Sequence, residues 1–95
     1  MTTIFVKHKV ADYDKWKQGY DAFNVKRKGL GISAASVHRA PDDPDTIIVT
    51  HRFKDTASAQ AFMSSNDLKA AMKEAGVLGP PEIWFGEDVE QLIYS

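Results

Sequence analysis

The chain has 95 residues, of which 43% are hydrophobic and 26% are charged, and its formal net charge is −1. A chain of this length builds one hydrophobic core, so we expect a single soluble domain that spans residues 1–95. The balanced charge, the lack of cysteine and the lack of a long apolar run argue against nucleic-acid binding, a disulfide framework and membrane insertion, and they favour a cytoplasmic protein.

The first half of the chain predicts a strand and then an amphipathic helix. Residues 3–10, which contain "IFVKHKV", alternate as a half-buried strand does, and Asp12 is placed to cap a helix that begins at Tyr13. The helix ends in the basic run "KRKGLG", with its stop at Gly29 or Gly31. We interpret the cations of "VKRKG", residues 25–29, as favoured by the helix dipole, with a phosphate-binding patch as the alternative.

The second half predicts a hairpin, a second helix and a last strand. Strands over residues 32–39 and 46–53 flank "APDDPD", whose prolines and aspartates are typical of a somewhat long turn. Asp55 or Thr56 caps the second helix, which has a possible break at "SSND" and stops at Gly76. "GPP" forbids further helix, and "EIWF" begins the last strand.

This order, β-α-β-β-α-β, predicts the ferredoxin-like α+β fold, a four-stranded antiparallel sheet with two helices on one face. The other face should be polar in a monomer, but its rows also hold apolar residues. We therefore predict a homodimer through the sheet face, with a monomer carrying scattered apolar residues as the alternative. The apolar residues on the two predicted faces are Ile4, Val6, Val10, Ala35, Val37, Ile47, Val49, Phe53, Ile83 and Phe85 on one, and Phe5, Ala34, Ile48 and Trp84 on the other.

Two histidines interrupt the more apolar face. His8 and His51 lie on neighbouring strands of the predicted sheet, so we expect them within a few ångströms of one ligand, where burial keeps the imidazoles neutral and able to take a proton. If Arg39 pairs with Ile47, then His38 faces the other side, which excludes a three-histidine metal site within one subunit. "GLGISA" lies between a helix and a strand, the reverse of the order that a dinucleotide site needs.

A cleft between the helices and the sheet would have apolar walls suited to a flat ring. The alternative is that the aromatic residues are simply core and that both histidines bond backbone groups. The candidate catalytic residues are His8 and His51, and the candidate substrate-binding residues are Trp16, Tyr20, Phe23, Phe62, Met72 and Trp84.

Three stretches resemble one known family: "VADYDKW" before the first helix, "DDPDTIIVTHRF" in the hairpin, and "AFMSSNDLKAAMKEAGVLGPP" in the second helix and its exit. They are similar to the antibiotic-biosynthesis-monooxygenase-like domains of the dimeric α/β-barrel superfamily, which include loosely named cyclases and monooxygenases. The resemblance runs from Ile4 to Val89 and implies a homodimer and a cofactor-free enzyme, of the monooxygenase or cyclase type, for a hydrophobic aromatic or enolisable substrate.

Haem-degrading members of this superfamily use a strand asparagine, a helix tryptophan and a helix histidine that ligates iron. The similar helix spacing places the tryptophan at Phe62 and the axial histidine at Met72, and the asparagine falls on His8. A lone thioether does not replace the imidazole ligand, so this comparison disfavours haem degradation.

Three functions remain as hypotheses: a small enzyme, a non-catalytic module that binds a hydrophobic or haem-like ligand, and a stress-related dimer whose cleft is filled by its own side chains. A cavity of roughly 300 Å³ or more that touches His8 would favour the first two. A cleft packed solid, with both imidazoles satisfied by backbone groups, would favour the third.

Overall fold

The computed structural model describes residues 1–94 and confirms the predicted α+β fold, with each predicted helix divided into two. The order of elements is β-α-α-β-β-α-α-β. The bounds are β1 Thr2–Val10, α1 Tyr13–Ala22, α2 Asn24–Gly29, β2 Ile32–Ala40, β3 Asp43–Phe53, α3 Thr56–Met63, α4 Asn66–Glu74 and β4 Val77–Glu87.

The four strands form one antiparallel sheet in the order β2-β3-β1-β4. The predicted adjacency of the first and third strands is confirmed, since Val6 pairs with Val49. The predicted hairpin register is also confirmed, because Arg39 pairs with Ile47.

Side-chain caps fix where the helices begin. The carboxylate of Asp12 accepts a hydrogen bond from the backbone N–H of Asp14 at 3.2 Å, and that of Asp55 accepts one from Ser58 at 2.8 Å, as the sequence predicted. The predicted break at "SSND" is confirmed, and the Ser65 hydroxyl accepts from the Leu68 N–H at 3.2 Å to start α4.

The first predicted helix is interrupted at Phe23, where no sequence pattern predicts a break. α1 ends at Ala22 and α2 begins at Asn24, a residue type that favours helix ends over helix interiors. Phe23 is the single residue between the two helices, and α2 ends before Gly31, whose φ of 89° suits glycine.

Two predicted boundaries in the sheet are wrong. The hairpin loop is short, because β2 continues to Ala40 and only residues 41–42 separate it from β3. The last strand begins at Val77 and includes "GPP", which lies in a register shift opposite His8, between the pairs Lys7–Glu82 and Lys9–Leu78. Prolines are tolerated there because β4 is an edge strand, and such irregularities are common beside functional sites.

The helices cover the middle of the sheet. The rows of β1 and β3 that face them are buried, and they include Ile4, Ile47 and Phe53, each 0% exposed. On β4, Ile83 and Phe85 share this face by register but remain 38% and 44% exposed. The prediction that this whole face is buried by the chain's own helices is therefore wrong for β4.

No helix within residues 1–94 has both the length and the apolar character needed to cross a bilayer.

Candidate active site

A cavity lies between the helices and the middle of the sheet, with a free volume of about 60 Å³. Val6 and Val49, which pair across β1 and β3, form its floor. Side chains from all four helices form its walls and roof. The predicted site residues that line it are His8, His51, Trp16, Tyr20, Phe23, Phe62 and Met72.

Trp84 is the one predicted substrate-binding residue that lies elsewhere. It pairs with Phe5 in the register of β1 and β4, which places it on the face away from the helices, and it is 53% exposed. The face predicted for Trp84 is confirmed, but its assignment as a substrate-binding residue is wrong, because the cavity lies on the helix side, which its neighbours Ile83 and Phe85 face.

His8 is buried at one end of the cavity. It is 7% exposed, and its ring centroid lies 5.6 Å from that of Trp16 on α1. Neither ring nitrogen has a hydrogen-bond partner in the structure. Burial lowers the pKa of His8 from its usual 6.5, so the imidazole is neutral at pH 7.

His51 is buried among aromatic rings. It is 5% exposed, and its ring centroid lies 5.0 Å from that of Phe62 and 6.4 Å from that of Tyr20. Burial, helped by the positive charges of Arg27 and protonated His8, lowers the pKa of His51 from 6.5 to about 4. Its Nδ1 atom is buried and has no hydrogen-bond partner.

The two histidines contact one cavity but do not converge on one atom. His8 pairs with Ile47, and His51 pairs with Ile4, so four residues of strand separate them. At the rise of an antiparallel strand this is an offset of ~13 Å between their backbone positions. A single ligand can therefore contact both histidines, as predicted, only if it is extended and spans the cavity.

Arg27 is the functional candidate that sequence reasoning missed. The sequence analysis predicts a cation favoured by the helix dipole at this position, but Arg27 is 4% exposed and lines the cavity. Its guanidinium lies 3.7 Å from the centroid of the Tyr20 ring and donates a hydrogen bond to the Tyr20 carbonyl oxygen at 2.5 Å. A signal is present in the sequence, because Arg27 follows Phe23 by four residues and so continues the helix face of Tyr13, Trp16, Tyr20 and Phe23, which recur at spacings of three or four.

His38 lies on the opposite face of the sheet, as predicted from the register. Its Nε2 atom is 3.0 Å from the Ser36 hydroxyl, and the side chain is exposed.

Within residues 1–94, no three side chains of the types that bind metal ions come together as a metal site.

The arrangement suits proton transfer in a dry environment. Each neutral imidazole offers one nitrogen that accepts a proton and one N–H that donates. The three buried nitrogen atoms without a hydrogen-bond partner are polar groups for which a ligand would be the partner.

The free volume of the cavity is well below the ~300–1,000 Å³ of typical ligand sites, and it does not fit a haem.

Comparisons with known proteins agree with the sequence resemblance. Residues 28–74 match the family model described as antibiotic biosynthesis monooxygenase. No curated protein is significantly similar to the chain in sequence.

Several solved structures share the fold. SnoaB, a cofactor-independent oxygenase from Streptomyces nogalater, superposes with a TM-score of 0.79 at 9% identity and covers 96% of this chain and 95% of its own. A protein of unknown function from Nitrosomonas europaea has a TM-score of 0.73 at 19% identity, with 99% and 94% covered. A structure described as antibiotic biosynthesis monooxygenase has a TM-score of 0.74 at 12% identity, with 95% and 100% covered.

At these identities the structural similarity establishes the fold, and the family model adds a sequence match through α3 and α4. The family match includes the hairpin motif and most of the motif in the second half of the chain, whereas the motif at the start of the first helix lies outside it. Residues 28–74 therefore carry the sequence pattern of the antibiotic biosynthesis monooxygenase family, and the chain as a whole has the fold of solved structures described by that name.

Proposed function

We propose that the chain is a small cofactor-independent enzyme that oxygenates a flat, apolar substrate with an acidic C–H or O–H group. The observation that carries this proposal is the pair of buried, neutral imidazoles that face an apolar cavity without a protein partner. A purely structural histidine would form a hydrogen bond to a backbone or side-chain group. Such bonds were expected for a cleft that is filled by its own side chains, and the three buried nitrogen atoms do not form them.

His8 is the better candidate for the general base. Burial alone lowers its pKa, whereas His51 is also beside the positive charge of Arg27, which makes His51 a weaker base. His51 is better suited to donate a hydrogen bond to an oxygen of the bound substrate. The Trp16 ring beside His8 offers a flat apolar surface for an aromatic substrate.

The reaction needs no bound electron carrier when the substrate supplies the electrons. His8 removes a proton from an activated methylene group, and the carbanion transfers electrons to molecular oxygen. The methylene becomes a carbonyl, and the second oxygen atom leaves as water with the two methylene hydrogens. A dry cavity protects the carbanion from reprotonation by solvent.

Substrate entry requires the roof of the cavity to move, because about 60 Å³ has room for water but not for an aromatic ring system. α4 is the element suited to this movement, since none of its residues is fully buried. Met63 and Met72 line the cavity on this side, and methionine side chains repack readily around ligands of different shape.

The proposed partner is a second copy of the chain, which would cover the open face of the sheet. Phe5 and Trp84 form an apolar pair on that face and are 41% and 53% exposed. Ile83 and Phe85, on the helix-facing side of the same edge strand as Trp84, are also exposed. After β4, the C-terminal residues add further exposed apolar side chains, including Val89 at 96%. A monomer would leave these apolar side chains in water.

Light scattering at micromolar concentration tests the dimer. The expected mass is twice the chain mass of 10.6 kDa. Trp84→Lys should give the monomer mass, whereas Val25→Lys, a matched change at a helix residue that is 80% exposed, should leave the dimer intact. A wild-type mass of one chain would contradict the proposed pairing.

Oxygen uptake with 1,8-dihydroxyanthrone tests the enzyme. After subtraction of the uncatalysed rate, we expect turnover by the wild type and a loss of about 100-fold or more in His8→Leu, since this is the usual contribution of a general base. His38→Ala, on the other face, should retain the wild-type rate. Binding of the anthrone without protein-dependent uptake would instead indicate a non-catalytic binding module.

A further inference from the structure

Arg27 is a buried cation that has no counter-ion among residues 1–94. Its side chain lies in the cavity wall and is 4% exposed. The ion pairs within residues 1–94 involve other cations, and Asp21, the carboxylate whose charge acts on Arg27, forms its own ion pair with Lys17 at 2.6 Å. Arginine is rarely buried this deeply without a partner of opposite charge.

The Arg27 guanidinium is held in place by its neighbours, but most of its N–H donors have no acceptor among residues 1–94. Its flat face stacks on Tyr20, with Phe23 at 5.9 Å, and Nη2 donates to the Tyr20 carbonyl oxygen. A guanidinium has five N–H donors in a rigid fork, and this carbonyl is the one acceptor that residues 1–94 give it. The stacking fixes the orientation of the fork before any ligand arrives.

His51 adds a polar group without a hydrogen-bond partner at the same end of the cavity. Its Nδ1 atom is buried without a hydrogen-bond partner, and the charge of Arg27 acts on its ring. A neutral imidazole beside a fixed cation offers an N–H that, together with the fork, suits an oxygen atom carrying negative charge. The other end of the cavity, with His8 and Trp16, has no such cation among its wall residues.

We propose that the Arg27–His51 end of the cavity binds an anionic oxygen of the ligand, either a carboxylate or an ionised enol or phenol. The bond to this oxygen would orient the ligand so that its apolar part extends along the floor toward His8. This inference rests on the proposed function in taking the cavity as a ligand site, and it deepens that function by assigning a charge to the substrate. Arg27 and His51 are then substrate-binding residues.

The test compares anionic and neutral probes of the same shape, by calorimetry and by NMR of the histidine rings at low ionic strength. Benzoate and benzamide test a carboxylate on a ring, and formate and formamide test a group small enough for the cavity without movement of its roof. Titration of 4-nitrophenol across its own ionisation tests a phenolate. The variants are Arg27→Met, Arg27→Lys and the matched control Lys28→Met, an exposed neighbour with the same loss of charge.

We expect the wild type to prefer benzoate over benzamide, or formate over formamide, by tenfold or more, with the His51 signals shifted. Lys28→Met should keep this preference, Arg27→Met should lose it, and Arg27→Lys should keep part of it because the charge remains without the fork. If the phenolate alone is preferred over its neutral form, the anion is an enol or phenol oxygen.

Equal affinity of the wild type for charged and neutral probes, or no binding of any probe, would overturn the inference. An unchanged preference in Arg27→Met would do the same, and the wild-type comparison remains decisive if that variant does not fold. Because no readout depends on turnover, an anion preference without oxygen uptake would reject the proposed enzyme and leave the anion site in place.

Discussion

The burial of His51 makes a quantitative prediction about stability and pH. The pKa of this histidine is about 4 in the folded protein and 6.5 when it is free of the fold. Below pH 6.5 the unfolded chain takes up a proton that the folded protein refuses until the pH approaches 4. The free energy of unfolding therefore falls as the pH is lowered through this window.

The magnitude follows from the two pKa values. Between pH 7 and pH 5 the linkage relation gives a loss of about 2 kcal/mol in the free energy of unfolding from His51 alone. His8 acts in the same direction, because its pKa is also lowered by burial. Above pH 5 most carboxylates remain ionised in both states, so the histidines dominate the change.

Urea unfolding followed by circular dichroism at pH 7 and pH 5 measures this loss. In His51→Leu, which replaces an orphaned polar ring by an apolar side chain, the loss should be smaller than in the wild type by about 2 kcal/mol. His38→Ala is the matched control, because His38 is exposed on the other face, and it should show the wild-type loss. The same loss in His51→Leu as in the wild type would refute the burial and neutral state of His51.

Three further predictions follow from individual contacts. Arg27→Met should raise the pKa of His51, measured by NMR titration, because it removes one of the positive charges that lower this pKa. An unchanged pKa would show that the charge of Arg27 does not act on His51. Asp55→Ala should lower the free energy of unfolding by about 1 kcal/mol in chemical denaturation, since Asp55 caps α3, and no change would show that the cap is dispensable. Phe62→Ala should lower it by about 3–5 kcal/mol, because Phe62 is 1% exposed and packs between His51 and Phe53, and a loss below 1 kcal/mol would contradict this packing.

The alternation of side chains along the strands was enough to predict the fold and to place the two histidines. His8 and His51 stand where an aliphatic residue would fit the pattern, and the structure buries both on the helix side. The helix caps could also be predicted from the sequence, because Asp12 and Asp55 act through local hydrogen bonds that depend on neighbouring residues alone.

Features that depend on long-range packing could not be predicted from the alternation of side chains or from local hydrogen bonds. The separation of His8 from His51 is set by the register of β1 against β3, and the volume of the cavity is set by how closely α1 and α4 approach the sheet and each other. At Gly19, an added Cβ atom would lie 3.1 Å from that of Ala75. No sequence pattern gives such a distance.

Arg27 and Trp84 show two ways in which a local interpretation fails. A basic run at the end of a helix is usually solvated, but Arg27 follows Phe23 by four residues and is buried with it, whereas Lys26 and Lys28 are exposed. Trp84 was grouped with the aromatic residues of the helices by its chemistry, although its parity in β4 assigns it to the opposite face.

The central claim is that His8 and His51 are neutral, lack protein partners and face a cavity that takes a flat ligand. NMR of the imidazole nitrogens at pH 7, before and after addition of 1,8-dihydroxyanthraquinone, tests this most directly. We predict neutral rings at both positions and ligand-dependent shifts at both, with His38 unchanged. Charged rings in the free protein, or signals of His8 and His51 that do not respond to the ligand, would contradict the claim.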